Sequence, residues 1–140
     1  MSTSASKRSQ GLGRVLVIVY ALLALAATGR SVFQLINDFD KAPLAYSLSA
    51  LAAVIYVIAT IALIAPGQAW YRVALVTISF ELVGVIVVGT LSIIDPVLFP
   101  EKTVWSAYGR GYAFVPLVLP ILGLIWLRIT RTLSEPDAAL

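Results

Sequence analysis

Four apolar stretches, each about as long as a bilayer is thick, constrain this chain more than any other feature of its sequence. They run from about residue 14 to 37, 43 to 65, 71 to 94 and 111 to 129. A helix needs about 20 mostly apolar residues to cross roughly 30 Å of hydrocarbon. The chain has 140 residues, of which 60% are hydrophobic and 12% charged, and a soluble domain of this size has too little interior to bury that apolar surplus. The sequence therefore predicts an all-α polytopic membrane protein, an antiparallel bundle of four transmembrane helices.

Turn-forming and polar residues separate the predicted spans. The breaks are NDFDKAP, APGQ and DPVLFPEK, which are rich in Pro, Gly and Asp. We predict a disordered basic head at residues 1–13, a transmembrane domain at 14–130 with an outer loop at 95–110, and a tail at 131–140. A cleaved signal peptide is an alternative for the N-terminal region, but the continuation TGRSVFQLIN extends the first helix to spanning length.

The distribution of Lys and Arg predicts the orientation. Short cytoplasmic loops carry an excess of these residues. With the N-terminus inside, the inner cations are Lys7, Arg8, Arg14, Arg72, Arg128 and Arg131, and the outer cations are Arg30, Lys41, Lys102 and Arg110. Acids at positions 38, 40, 95 and 101 offset the outer group. Both termini are therefore predicted to be cytoplasmic, with Trp105, Tyr108 and Tyr112 in an outer aromatic belt.

One carboxylate, Glu81, lies in the middle of the third span, within SFELVGVIVVG. An ionised carboxylate costs several kcal/mol at mid-bilayer, so we expect this side chain to face inward and to be neutral. Small and polar residues, including Thr77 and Gly84, share its helical face. The short turn PGQAWYR makes the second and third spans antiparallel neighbours. Reflection about that turn pairs Glu81 with Tyr56 and Thr77 with Thr60, so the Tyr56 hydroxyl is the predicted partner of the acid.

Polar positions of the other two spans are expected to complete this intramembrane cluster. Arg30 and Gln34 share a face of the first span, although Arg30 lies roughly 10 Å above Glu81 by helical rise, too far for direct pairing without tilt or a bridging water. In the fourth span, Pro116 and Pro120 lack N–H groups and are predicted to break the helix. Carbonyls freed in this way need donors elsewhere in the bundle, and a protonated Glu81 is one candidate.

The outer loop DPVLFPEKTVWSAYGRGY leaves two interpretations open. It is either an interfacial half-helix anchored by aromatic residues, or an external cap that recognises a ligand or a protein through Trp105, Tyr108 and Arg110. The acids Asp38 and Asp40 are too few for a calcium site, so we expect a solvated turn there. No metal and no cofactor is predicted.

The residue types of the chain argue against catalysis. The sequence has no His and no Cys, and its net charge of +3 is too small to indicate a nucleic-acid partner. The leading hypothesis is a non-enzymatic packing or accessory subunit of a cell-envelope or transport complex, whose partners are the bilayer and a larger membrane protein or a second copy. The alternative is a proton-coupled transporter of a small or lipophilic solute that uses Glu81. Small multidrug exporters are similar in length, but their essential carboxylate lies in the first helix, which has no acid here.

A family resemblance extends over most of residues 15–130. From FDKAPLAYSLSALAAVIYV through SFELVGVIVVGTLSIIDPVLFPEKTVW to GYAFVPLVLPILGL, the chain resembles a family of small integral membrane proteins from actinobacteria. The resemblance implies a four-helix architecture and a location in the plasma membrane. It implies no catalytic or binding residue.

Overall fold

The structure, a computed structural model, describes the backbone of residues 2–99 and 101–139 and the side chains of residues 11–99 and 101–130. Within these ranges it is entirely helical. The helices are α1 (Ser2–Asn37), α2 (Pro43–Ile64), α3 (Gln68–Ile94) and α4 (Val115–Ala139), with 3₁₀ turns at Phe39–Lys41 and Ser106–Tyr112. Helices α1 to α3 are long and apolar enough to cross a membrane, and a fourth crossing results if the bent pair Ser106–Tyr112 and Val115–Thr130 counts as one span. The predicted all-helical fold with several membrane-spanning segments is confirmed at this level.

The four helices form a ring in chain order. Each helix packs against the next, and α4 packs back against α1, whereas α1 and α3 face each other across one diagonal and α2 and α4 across the other in the described residues. The α2–α3 turn contains Gly67 at φ +107°, a conformation that favours glycine. We call the end that carries residues 38–42 and 95–114 the loop end, and the opposite end the terminal end.

Helical periodicity separates an interior of small side chains from an apolar exterior. Ala45, Ala52, Ala59 and Ala74 are among the buried residues of α2 and α3, whereas bulky aliphatic residues, including Val83, Ile86 and Val87, are exposed. Lipid tails are as apolar as these exposed side chains, so close approach of small residues and polar contacts, not exclusion of apolar surface, hold such a bundle together.

Helices α1 and α4 extend beyond the predicted spans. Residues 2–13, predicted to be disordered, belong to α1, and residues 131–139, predicted to be a tail, belong to α4. Extending a helix that is already nucleated costs less than starting a new one, and α1 and α4 continue through Gly11, Gly13 and Pro136. The side chains of Lys7, Arg8 and Arg131, which were counted in the orientation argument, lie outside the described residues.

The start of α4 corrects the role assigned to Pro116. Ala113 and Phe114 have φ values of +56° and +60°, and the 3₁₀ turn before them is bent by 98° from α4. Because α4 begins at Val115, Pro116 is its second residue, where a missing N–H breaks no helical hydrogen bond. The prediction that Pro116 breaks the fourth helix is therefore wrong. α4 also continues through Pro120, so Pro120 does not break the helix, although its missing N–H leaves the Pro116 carbonyl without its usual donor.

Candidate functional site

Glu81 lies at the centre of the bundle and is bound across its diagonal. The side chain is fully buried, and the hydroxyl of Tyr20 donates a hydrogen bond of 2.6 Å to its Oε1 atom. Tyr20 is on α1 and Glu81 is on α3, two helices that face each other across the ring. This hydrogen bond therefore connects helices that share no direct backbone packing.

The predicted hydrogen bond between Tyr56 and Glu81 is wrong. Tyr56 is fully buried and close by, with its ring centroid 6.3 Å from that of Tyr20, but its hydroxyl accepts a hydrogen bond of 2.8 Å from Trp105 Nε1. The reflection about the α2–α3 turn compares only two neighbouring helices. It contains no information on α1, which supplies the actual donor.

A sequence signal for Tyr20 does exist. Tyr20 lies seven residues before Ala27 and fourteen before Gln34, so the three share one face of α1. In an up-and-down bundle α1 and α3 are parallel. By helical rise, Tyr20 lies about 9 Å from Arg14 and Glu81 about 14 Å from Arg72, both measured from the terminal end, and a tyrosine side chain spans the difference.

The second oxygen of Glu81 has no partner in the described part of the chain. Its Oε2 atom is buried and makes no hydrogen bond, so the predicted contact with a freed carbonyl of α4 is not formed. Among the described residues, Glu81 does not line the cavities of about 190, 340, 470 and 660 Å³. The acid is thus held on one side and enclosed on the other.

The loop before α4 is folded into the bundle through Trp105. Its indole is buried against Gly84 of α3, where an added Cβ would lie 2.6 Å from the ring. Its Nε1 atom reaches Tyr56 of α2, and the backbone N–H of Val104 donates to Ser49 Oγ at 3.3 Å. Small residues of α2 and α3 therefore form the surface on which the loop packs.

Tyr108 provides a second anchor. Its ring packs directly on Gly89, and its hydroxyl shares a hydrogen bond of 2.8 Å with Thr90 Oγ1. The N–H of Ala107 donates to Ser92 Oγ at 2.8 Å. The exposed contact role predicted for Trp105 is wrong, because its ring is buried and its N–H has a partner. Tyr108 is half-buried, and its hydroxyl is paired with Thr90. Of the three predicted contact residues, only Arg110 is exposed.

The other residues of the predicted intramembrane cluster are dispersed. Arg30 Nη2 donates to the carbonyl of Lys102 at 2.9 Å, at the loop end and not at Glu81. Gln34 Oε1 is buried without a partner among the described residues. Thr60 Oγ1 donates to the Tyr56 carbonyl within α2, and Thr77 is half-buried on α3.

The acids of the first connection are arranged as a turn. Asp38 forms an ion pair of 3.2 Å with Lys41. The hydrogen bond within this pair raises the pKa of the Lys41 ammonium above its ordinary value. Asp40 is exposed. In the portion of the chain that the structure describes, no group of three or more His, Cys, Asp or Glu residues is arranged to hold a metal ion.

Comparisons of the chain with protein-family models, with curated proteins and with solved structures find no match. The resemblance to small actinobacterial membrane proteins therefore stays a prediction.

Proposed function

We propose that the protein is a non-enzymatic integral membrane protein that acts as an accessory subunit of a larger cell-envelope or transport assembly. The observation that carries this proposal is the closed interior. Glu81 is buried and bonded to Tyr20, and Trp105 inserts from the loop and bonds to Tyr56. These contacts use the polar groups of the core to fix helix positions, which is what a rigid packing module requires.

The proposal includes a location in the plasma membrane with both termini in the cytoplasm. The excess of Lys and Arg at the terminal end supports this orientation. The loop end then faces outward, and its folded loop presents a fixed surface to the outside.

The test is the assembly state of the tagged chain after extraction in a mild detergent. We expect a complex of constant mass and stoichiometry that re-forms from the purified components. Glu81→Gln is the matched variant, because the amide oxygen still accepts from Tyr20, and it should enter the same complex. A monomer that brings down no component at constant ratio would overturn the accessory role.

Proton-coupled transport is the second candidate, favoured by the buried and unpartnered Oε2 of Glu81. A transporter of this kind must expose the acid to water in some state, because proton exchange requires it. The measurement is ethidium movement in proteoliposomes under a pH gradient, with wild type and Glu81→Gln compared. Loss of gradient-driven movement in the variant supports transport, whereas equal movement, or none in either protein, counts against a role of Glu81 in coupling.

A further inference from the structure

One of the cavities lies at the loop end, between α1, the end of α3 and the folded loop. Its volume is about 660 Å³, which is in the size range of sites for small organic ligands. Arg30 of α1, Ser92 and Ile93 of α3, and Lys102 and Arg110 of the loop are among its lining residues.

The charges around this cavity are unbalanced. Its lining contains three cations, Arg30, Lys102 and Arg110, and no carboxylate. The acids of the same end are directed elsewhere: Asp38 pairs with Lys41, and Asp95 accepts from the N–H of Leu98. Positions 40 and 101 are exposed and are not part of the lining. The sequence places both acidic and basic residues at this end, but in the fold only the basic residues line the cavity.

The cationic groups retain free donors. Arg30 is half-buried and is held by one hydrogen bond to the Lys102 carbonyl, which leaves most of its five N–H donors available. Lys102 and Arg110 are exposed, and neither side chain makes an ion pair or a hydrogen bond with the described residues. Three positive charges thus line one cavity, and no carboxylate of the described residues lines it with them.

The floor of the cavity is rigid. Ala107 lines it and adopts φ +49°, next to Tyr108 at φ +62°. Left-handed backbone is unfavourable for non-glycine residues, so it persists where neighbouring contacts enforce it. Here those contacts are the anchors of the loop on Gly89 and Ser92. A site held in this way is preorganised, which lowers the entropic cost of binding.

We propose that this cavity binds a phosphate-type anion. Guanidinium groups match the geometry of phosphate oxygens with paired N–H donors, and an ammonium adds a point charge. Two sources supply this chemistry at a membrane surface: the headgroup of an anionic lipid and a soluble phosphate ester. Ile93 and Phe99 add apolar surface to the wall of the cavity. The proposal goes beyond the accessory role and needs no partner protein.

The test uses the purified full-length chain in a neutral detergent. One arm measures binding of radiolabelled inorganic phosphate and of glycerol 3-phosphate by equilibrium dialysis. The other arm measures retention of radiolabelled phosphatidylglycerol, with a phosphate-free galactolipid as the competitor. The main variant is Lys102→Gln with Arg110→Gln, which leaves the structural bond of Arg30 intact. We expect its affinity to fall at least tenfold, and higher salt to weaken wild-type binding.

Two sets of variants distinguish loss of the anion site from loss of the folded structure. Lys102→Arg with Arg110→Lys preserves the charges and should bind within a few-fold of wild type. Lys41→Gln at the same end and Arg72→Gln at the other end remove cations outside the cavity and should bind as wild type. Binding of the soluble anions alone identifies a free phosphate ester, and binding of the lipid alone identifies a headgroup. The proposal is overturned if wild type binds neither, or if the charge-removing and control variants behave alike.

Discussion

At the residue scale, the centre of the molecule is organised by two hydrogen bonds that share a group of aromatic rings. Tyr20 donates to Glu81, and Trp105 donates to Tyr56, with the two tyrosine rings adjacent. Each bond connects elements that are distant in the chain: α1 with α3, and the loop with α2. Because a buried polar group without a partner is costly, removing either donor or acceptor has a larger effect than the bond alone contributes.

Tyr20→Phe tests the bond to Glu81. We expect the free energy of unfolding to fall by about 1–2 kcal/mol, because the buried Oε1 atom loses its donor. Equilibrium unfolding in mixed micelles measures the change. Tyr46→Phe is the control, since that ring is also buried and its hydroxyl makes no hydrogen bond with the described residues. Equal losses in both variants would show that the Tyr20 hydroxyl contributes nothing specific.

Glu81→Gln tests whether the carboxyl acts as a neutral acceptor. We expect a free energy of unfolding within about 1 kcal/mol of wild type, because the amide has nearly the same shape and still accepts from Tyr20. Glu81→Ala, which also empties the buried volume, should cost about 2–5 kcal/mol. If Glu81→Gln lowers the free energy of unfolding as much as Glu81→Ala in the same assay, the carboxyl makes an interaction that an amide cannot make.

At the element scale, glycines determine where the loop before α4 meets the bundle. On α3, Gly84 contacts the ring of Trp105 and Gly89 contacts the ring of Tyr108, and each leaves room for a flat ring. Serines of α2 and α3 satisfy N–H groups of the same loop. Small and polar residues of α3 between Gly84 and Ser92 thus contact side chains and N–H groups of the loop.

Gly84→Ala tests the packing of the Trp105 ring on α3. A Cβ at this position would lie 2.6 Å from the Trp105 ring, so we expect the free energy of unfolding to fall by about 1–3 kcal/mol through overpacking. Gly29→Ala is the matched control, because nothing lies within 4 Å of its added Cβ, and alanine improves helix propensity by up to about 1 kcal/mol. Unfolding measurements that show no difference between the two variants would contradict the packing of Trp105 on Gly84.

At the scale of the whole molecule, the ring of four helices gives the protein two unlike ends. The loop end contains the cationic cavity and the folded loop, whereas the terminal end has the short α2–α3 turn and contacts such as that of Tyr71 with the Leu127 carbonyl. The proposed function and the proposed anion site both depend on which end faces the outside.

Single cysteines test the orientation, and the absence of Cys from the chain provides a clean background. Positions 40 and 68 are exposed at opposite ends. In intact cells we expect a membrane-impermeant maleimide to label Asp40→Cys at once and Gln68→Cys only after permeabilisation, because the loop end faces outward. The reverse pattern would place the anion cavity in the cytoplasm and refute the assigned orientation.

The sequence by itself determined the helices, the apolar exterior and the inward direction of Glu81, because each follows from the length and the 3.6-residue period of an apolar run. It did not determine which hydroxyl meets the acid, where Trp105 goes, or that three cations converge. Those contacts depend on how far each helix is rotated and raised relative to helices that are not its neighbours in the chain. Only the tertiary structure fixes these quantities, since interhelical packing of small residues, not local propensity, decides them.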